Sequence, residues 1–373
     1  MTDRVRLVCL GLLLTSSLTQ SAEVKASGSA YFDYWGMSSE RARVGSIAGI
    51  TPEMAIKIEA EAHEKLSFTG RICFGCHGLE VDRAHVDFTP YDQINIQAGR
   101  IGVPFGDFAL RYEPTSRHTV TNPLIFEMGR MSYYQKSAFN LGVVPQPYVD
   151  TGVIVYGQFA LSDTLALWYG AYGVAGFKGN NDFDYPSMRT PFYADNNKLP
   201  SWGGRLKLSY TASDADFKVR SITLGVSGMH GRYDPQHTRD YTALGVDATT
   251  RIGIATIRAE VAFLRVNLDP AVSGYGYALL DPWIEKGGAY FEIEHPLFER
   301  LILVYRADAL RRVGVQLPGA DPRLSPDSWI LRYTQALQLE LAYGVYLKGE
   351  YQYSWMNDFP SFHSFHAGLG GAF

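Results

Sequence analysis

The densest chemistry in the sequence is Cys73-Phe74-Gly75-Cys76-His77, a C-x-x-C-H. In such a run two thioethers fix the edge of a haem while the adjacent imidazole reaches the iron. Cys73 and Cys76 are thus candidate attachment points for a haem c, and His77 is the candidate proximal ligand to the haem iron. His118, Met128 and Met131 are candidate distal ligands, all within the long connection 107–150. An open or water-bound sixth position is an equal alternative. His63 and His85 stand about 26–33 Å from the motif along an extended chain, so they read as lumen residues rather than ligands. The same cysteines support two other readings. A Cys73–Cys76 disulfide would stiffen an exposed tip and leave His77 incidental. A metal site would have two thiolates and one imidazole but no obvious fourth ligand.

The flanking residues say what carries the motif. Ile56, Ile58, Ala60, Ala62, Leu66 and Phe68 share one face, interrupted only by Glu64, while Lys57, Glu59, Glu61, His63 and Lys65 share the other. A period of two marks a strand with two unlike faces. After the motif, Ala84, Val86 and Phe88 again share a face. The expected local structure is a hairpin with the C-x-x-C-H at its tip, residues 73–77.

The remainder of the chain gives the context. It has 373 residues, a net charge of −4 and 13% aromatics, with 24 Tyr, 20 Phe and 37 Gly. That mixture suits barrel strands, aromatic girdles and tight turns. No basic run points to nucleic acid, and no Ser-His-Asp spacing, paired-carboxylate site or phosphate loop points to an enzyme. Arg4 and Arg6 followed by the apolar run 7–14 and Ser21-Ala22 read as an export signal over residues 1–22, too short to span a bilayer as a helix. Its removal takes away Cys9 and leaves one close cysteine pair, which in an exported protein means a disulfide or a thioether-linked haem.

From residue 23 to 373 the pattern is alternating runs separated by turn signals. The clearest is 345–355, where Val345, Leu347, Gly349, Tyr351, Tyr353 and Trp355 oppose Tyr346, Lys348, Glu350, Gln352 and Ser354. Reading each run as a strand gives 29–36, 43–50, 54–71, 79–89, 93–105, 152–161, 165–175, 203–210, 218–232, 241–249, 254–268, 287–295, 301–313, 330–340, 345–356 and 363–373. Short connections, beginning with Thr51-Pro52-Glu53, alternate with long ones such as 107–150 and 179–201. That is the arrangement of bacterial outer-membrane barrels. The last strand ends on Phe373, with Phe365 and Leu369 on the same face. The expected fold is therefore all-β: a sixteen-stranded antiparallel transmembrane β-barrel with a long inward-folding loop. Sixteen strands leave an aqueous lumen.

Gly99-Arg100-Ile101-Gly102-Val103-Pro104-Phe105-Gly106 resembles the G-x-x-x-V-P-F-G segment of phosphate-selective-type porins. Arg41-Ala42-Arg43-Val44-Gly45 is similar to their second strand. The resemblance covers about residues 29–107. It implies an outer-membrane porin in which the strand holding 99–106 leads into a loop folded inside the pore. Those porins lack a C-x-x-C-H, which brings the chain nearer to cytochrome–porin fusions, although there the haem segment precedes the barrel.

The functional expectation is a porin-like channel of the bacterial outer membrane carrying one covalent haem c, for electron transfer at the cell surface, passive solute diffusion or both. Its partners would be small hydrophilic solutes or ions, outer-membrane lipid, and a periplasmic or extracellular electron carrier. The alternative is an ordinary diffusion porin with a disulfide at Cys73 and Cys76. Lumen-facing positions carry both signs, Lys57, Glu59, Glu61, Arg205, Lys207, Arg306, Asp308, Lys348 and Glu350 among them, and form no cationic ladder.

Overall fold

A computed structural model describes residues 23–37, 42–43, 49–75, 78–126, 133–134, 137–138, 142–145, 148–178, 196–213, 218–268, 279–316, 327–342, 344–357 and 361–373. Residues 1–22, with the expected export signal, lie outside these, as do Cys76, His77, Met128 and Met131.

Sixteen strands among the described residues close into an antiparallel barrel. They are β1 (Glu23–Met37), β2 (Gly49–His63), β3 (Leu66–Gly75), β4 (Gly78–Tyr91), β5 (Ile94–Gly102), β6 (Val149–Ala160), β7 (Leu165–Val174), β8 (Ser201–Thr211), β9 (Val219–Arg232), β10 (Asp240–Ile252), β11 (Ala255–Asn267), β12 (Leu279–Phe298), β13 (Leu301–Gln316), β14 (Asp327–Ala342), β15 (Val345–Met356) and β16 (Phe362–Ala372). Each strand pairs with its sequence neighbours. The ring closes where β1 pairs with β16, Ala30 opposite Gly371 and Trp35 opposite His366. Closure leaves no unpaired sheet edge, which a hydrocarbon environment requires.

The expected strand count holds, but the boundaries between 42 and 71 differ. The run 54–71 is two strands, with a turn at Glu64 and Lys65, where His63 pairs with Leu66. The charged Glu64 that broke the apolar face marks that turn. Conversely, Thr51-Pro52-Glu53 is no turn: Pro52 lies inside β2, opposite Phe32. Of the expected strand 43–50, residues 44–48 lie outside the described residues, and Gly49 and Ile50 open β2. Ala42 and Arg43 instead pair with Tyr133 and Tyr134 in a separate small sheet. Of the stretch 41–45, likened to a second barrel strand, the described residues Ala42 and Arg43 lie in this small sheet and not in the barrel.

Alternation is strict in β15, where Lys348, Glu350, Gln352 and Ser354 are buried inside and Leu347, Tyr353 and Trp355 are exposed outside. The exterior is a belt of Ile, Val, Leu and Phe. Exposed Tyr91, Phe159, Phe298 and Phe373 ring the short-turn end, and exposed Trp202, Trp329 and Trp355 the long-loop end. An apolar band between two aromatic girdles is the surface of a lipid-embedded barrel. No helix is long and apolar enough to cross a membrane among the described residues.

Candidate functional site

The interior is organised by one segment, 103–126, which leaves β5 and enters the lumen. Gly99 and Gly106 have φ of +130° and +74°, a left-handed region that disfavours side chains. At Gly106 a Cβ would fall 1.6 Å from Glu260 Oε1, so only glycine lets the backbone come this close. Gly106 N–H then donates to Ser227 Oγ at 3.1 Å, and the amides of Asp107 and Phe108 donate to the Glu260 carboxylate, each at 3.2 Å. Val103 and Phe105, from the porin-like motif, are buried. Phe108 stacks on Phe126 with centroids 5.3 Å apart. Leu124, Ile125 and Phe126 join a buried cluster with Leu264, Tyr290 and Leu310 from the barrel wall. An apolar loop face against apolar inward-facing residues keeps the segment inside the barrel.

Charged side chains fix its path. Arg111 donates to Glu292 and to the Tyr290 hydroxyl, both at 2.9 Å. Burial works against the Arg111 charge, but Glu292 and Tyr290 outweigh it and hold the guanidinium above its ordinary pKa. Lys348 Nζ donates to the Pro114 carbonyl at 2.6 Å and to those of Arg117 and Thr119. Glu350 accepts from Val120 N–H at 2.6 Å, Thr121 N–H at 3.1 Å and the Thr121 hydroxyl. Asp308 accepts from Leu124 N–H at 2.9 Å, and Arg306 and Arg332 both donate to the Asn122 carbonyl. All of these wall residues stand on β11 to β15.

On the other side the loop reaches β3 and β4. Register shifts by one residue between Arg71 and Ile72, so Asp82 is extra in β4 and sits inside beside Arg83. Such bulges re-aim side chains. Asp82 pairs with Arg71, and the Tyr112 hydroxyl donates to Asp82 at 3.2 Å while accepting from Arg71 at 3.2 Å and Arg83 at 3.3 Å. Burial, helped by Asp82, raises the Tyr112 phenol above its ordinary pKa, so it stays a donor. β3 and β11 are eight strands apart in a ring of sixteen, so the loop is tied to opposite walls.

The residues singled out from sequence fall in different places. Cys73 is half-buried on the inner face of β3, in line with buried Thr69 and Arg71, while Ile72 and Phe74 face outward. Gly75 pairs with Gly78, so Cys73 lies near the long-loop end of the β3–β4 hairpin. His118 is not near it: its Nδ1 lies 3.0 Å from Glu294 Oε1 on β12, across the lumen. The structure therefore does not bring His118 and Cys73 together. His85 is buried in the lumen, 3.1 Å from Asp87, whereas His63 ends β2 beside the short turn, accepting from Lys65 N–H. Among the described residues no group of three His, Cys, Asp or Glu is arranged to hold a metal ion. Sequence reading missed Tyr112, Asp82 and Glu260. Only the glycine at 106 hinted at a close approach there.

No family model matches the chain, and no curated protein matches its sequence. Solved structures do. An anion-selective porin from Comamonas acidovorans is similar with a TM-score of 0.56 at 11% identity, over 94% of this chain and 100% of that one. OmpT lacking loop L8, an outer membrane protein of Vibrio cholerae, is similar with a TM-score of 0.56 at 10% identity, over 94% and 99%. The outer membrane channel DcaP of Acinetobacter baumannii gives 0.53 at 13% identity, over 94% and 97%. At these identities the likeness is one of fold. The chain is a sixteen-stranded barrel of the outer-membrane porin type, with an exterior built for the bacterial outer membrane.

Proposed function

We propose that the protein is an outer-membrane diffusion channel for small hydrophilic solutes and ions, not an enzyme. The observation that carries this reading is the segment 103–126, held between opposite walls of a barrel whose lumen is lined by polar and charged side chains. A loop so placed narrows the lumen. Its charges are matched: Arg71 with Asp82, Arg111 with Glu292, Arg306 with Asp308. Paired charges give little preference for ion sign, so the likeness of 99–106 to phosphate-selective-type porins enters through the loop's path and not through phosphate binding. Planar-bilayer recording of the purified protein tests the reading. Discrete conductance steps with weak ion preference are expected. Absence of steps, both in the full chain and in a chain shortened through 107–126, would sink it.

A second reading rests on the C-x-x-C-H of the sequence and on Cys73 lying half-buried on the inner face of β3 at the long-loop end. One haem joined to Cys73 and Cys76, with His77 on the iron, would exchange electrons with extracellular donors or acceptors. Attachment requires Cys76 to share the inner face with Cys73, and a periplasmic carrier must enter the lumen, because the hydrocarbon core is about 30 Å thick. Met128, Met131 or water would complete the iron. The discriminating observation is colour. A Soret band that survives acid-acetone extraction, and is lost in Cys73→Ala/Cys76→Ala, supports haem. A colourless protein without free thiols is the disulfide porin.

A further inference from the structure

Between the lumen-crossing loop and the short-turn end lies a cavity of about 460 Å³, against the wall made by β2 to β6. Its two sides differ in chemistry. The loop supplies an apolar ceiling of Val103, Pro104, Ala109 and Leu110. Leu110 is 67% exposed although it sits inside the barrel, an apolar surface held open to a polar channel. The strands supply hydroxyl and amide groups, among them Thr69, Gln97 and Tyr156. Gln97 Nε2 meets the Tyr156 hydroxyl only at 3.4 Å, a long contact that a solute hydroxyl can replace.

The charged groups lining this cavity each have a partner in place, though not always one of opposite charge. Lys57 Nζ lies 2.5 Å from Glu59 and His85 Nε2 lies 3.1 Å from Asp87. Arg83 is held by Tyr112 beside Asp82. An ionic solute would have to draw one of these groups away from its partner, whereas a neutral solute meets donors and acceptors already oriented. The volume is within the range of small-molecule sites.

We propose that this cavity binds a neutral polyhydroxylated solute of mono- to disaccharide size. Its C–H face lies on Leu110 and Ala109, and its hydroxyls meet Gln97, Thr69 and Tyr156. The proposal rests on the diffusion-channel reading for its physiological sense, though not for its test. Saturation-transfer NMR on the detergent-solubilised full chain, with glucose, gluconate and glutamine as probes, measures binding without requiring conductance. Glucose is expected to receive saturation most strongly. Leu110→Asn and Gln97→Leu should each weaken it about fivefold, the worth of one apolar contact or neutral hydrogen bond. Leu331→Ala on the lipid face should leave it unchanged. The comparison among the three probes on the unaltered protein stands whatever the variants do. Equal transfer to all three, or none to glucose, overturns the proposal. A barrel that conducts without binding glucose loses this site alone, and one that binds glucose without conducting loses the channel reading alone.

Discussion

Replacing Glu350 by alanine should loosen the lumen-crossing loop at Val120 and Thr121, where it meets β15. The Glu350 carboxylate accepts two backbone amides and one hydroxyl from Val120 and Thr121, and also meets Gln352 Nε2 at 2.7 Å. Val120 and Thr121 are buried, so their amides lose their acceptor where water is scarce. Each unsatisfied buried donor costs about 1–3 kcal/mol, which puts the loss at about 2–6 kcal/mol. At about 3 kcal/mol the undocked population rises roughly 150-fold, a factor of ten for each 1.4 kcal/mol. Amide hydrogen exchange at Val120 and Thr121 reads this directly, and bilayer recording should show a larger or noisier open level. Glu350→Gln keeps an acceptor oxygen and should fall between the two. Protection within about threefold of the parent protein would refute the reasoning, since a shift that small is under about 1 kcal/mol.

Three other perturbations follow from the same contacts. Gly106→Ala places a methyl on the Glu260 carboxylate at a left-handed φ, so the loop should fail to dock and the folded, heat-modifiable band on a gel should weaken. Asp82→Asn leaves Arg71 and Arg83 undercompensated at the narrowing. The reversal potential in a salt gradient should therefore move toward anion preference. In the loop 233–239, burial acts against the Asp234 carboxylate, but hydrogen bonds from the Arg239 and Thr238 amides and the Thr238 hydroxyl prevail and lower its pKa. Its contribution is thus present above the ordinary value of about 3.9 and lost as pH falls through the lower folded value. Asp234→Ala should cost about 1 kcal/mol at neutral pH, as for a lost cap, and nothing in strong acid. Denaturation of the two proteins at pH 7 and in acid checks this.

The barrel was legible in the sequence because every strand has unlike faces, and a two-residue period shows that without any knowledge of partners. The boundaries between 43 and 71 were not. Pro52 reads as a turn residue, yet β2 holds it beside Phe32, while the true turn at Glu64 and Lys65 lacks glycine, proline and asparagine. Tertiary pairing overrode local turn chemistry there. The inward course of 103–126 was legible from the glycines and the Val-Pro-Phe of 99–106. Its anchors were not, because Glu350 meets Val120 across 230 positions and Glu260 meets Phe108 across 152. The bulge that turns Asp82 inward leaves no mark in composition. His118 looked like a ligand only because its loop is long. The barrel geometry set it against Glu294 instead.

In the proposed channel, a loop fixed to opposite walls of a sixteen-stranded barrel sets the width of the diffusion path. The most direct measurement is the rate at which uncharged solutes of graded size enter liposomes carrying the purified protein. The expected result is a rate that falls steeply with solute size for the parent protein, with a cut-off that moves to larger solutes in Glu350→Ala. Rates equal to those of protein-free liposomes for every solute, in both proteins, would contradict the account.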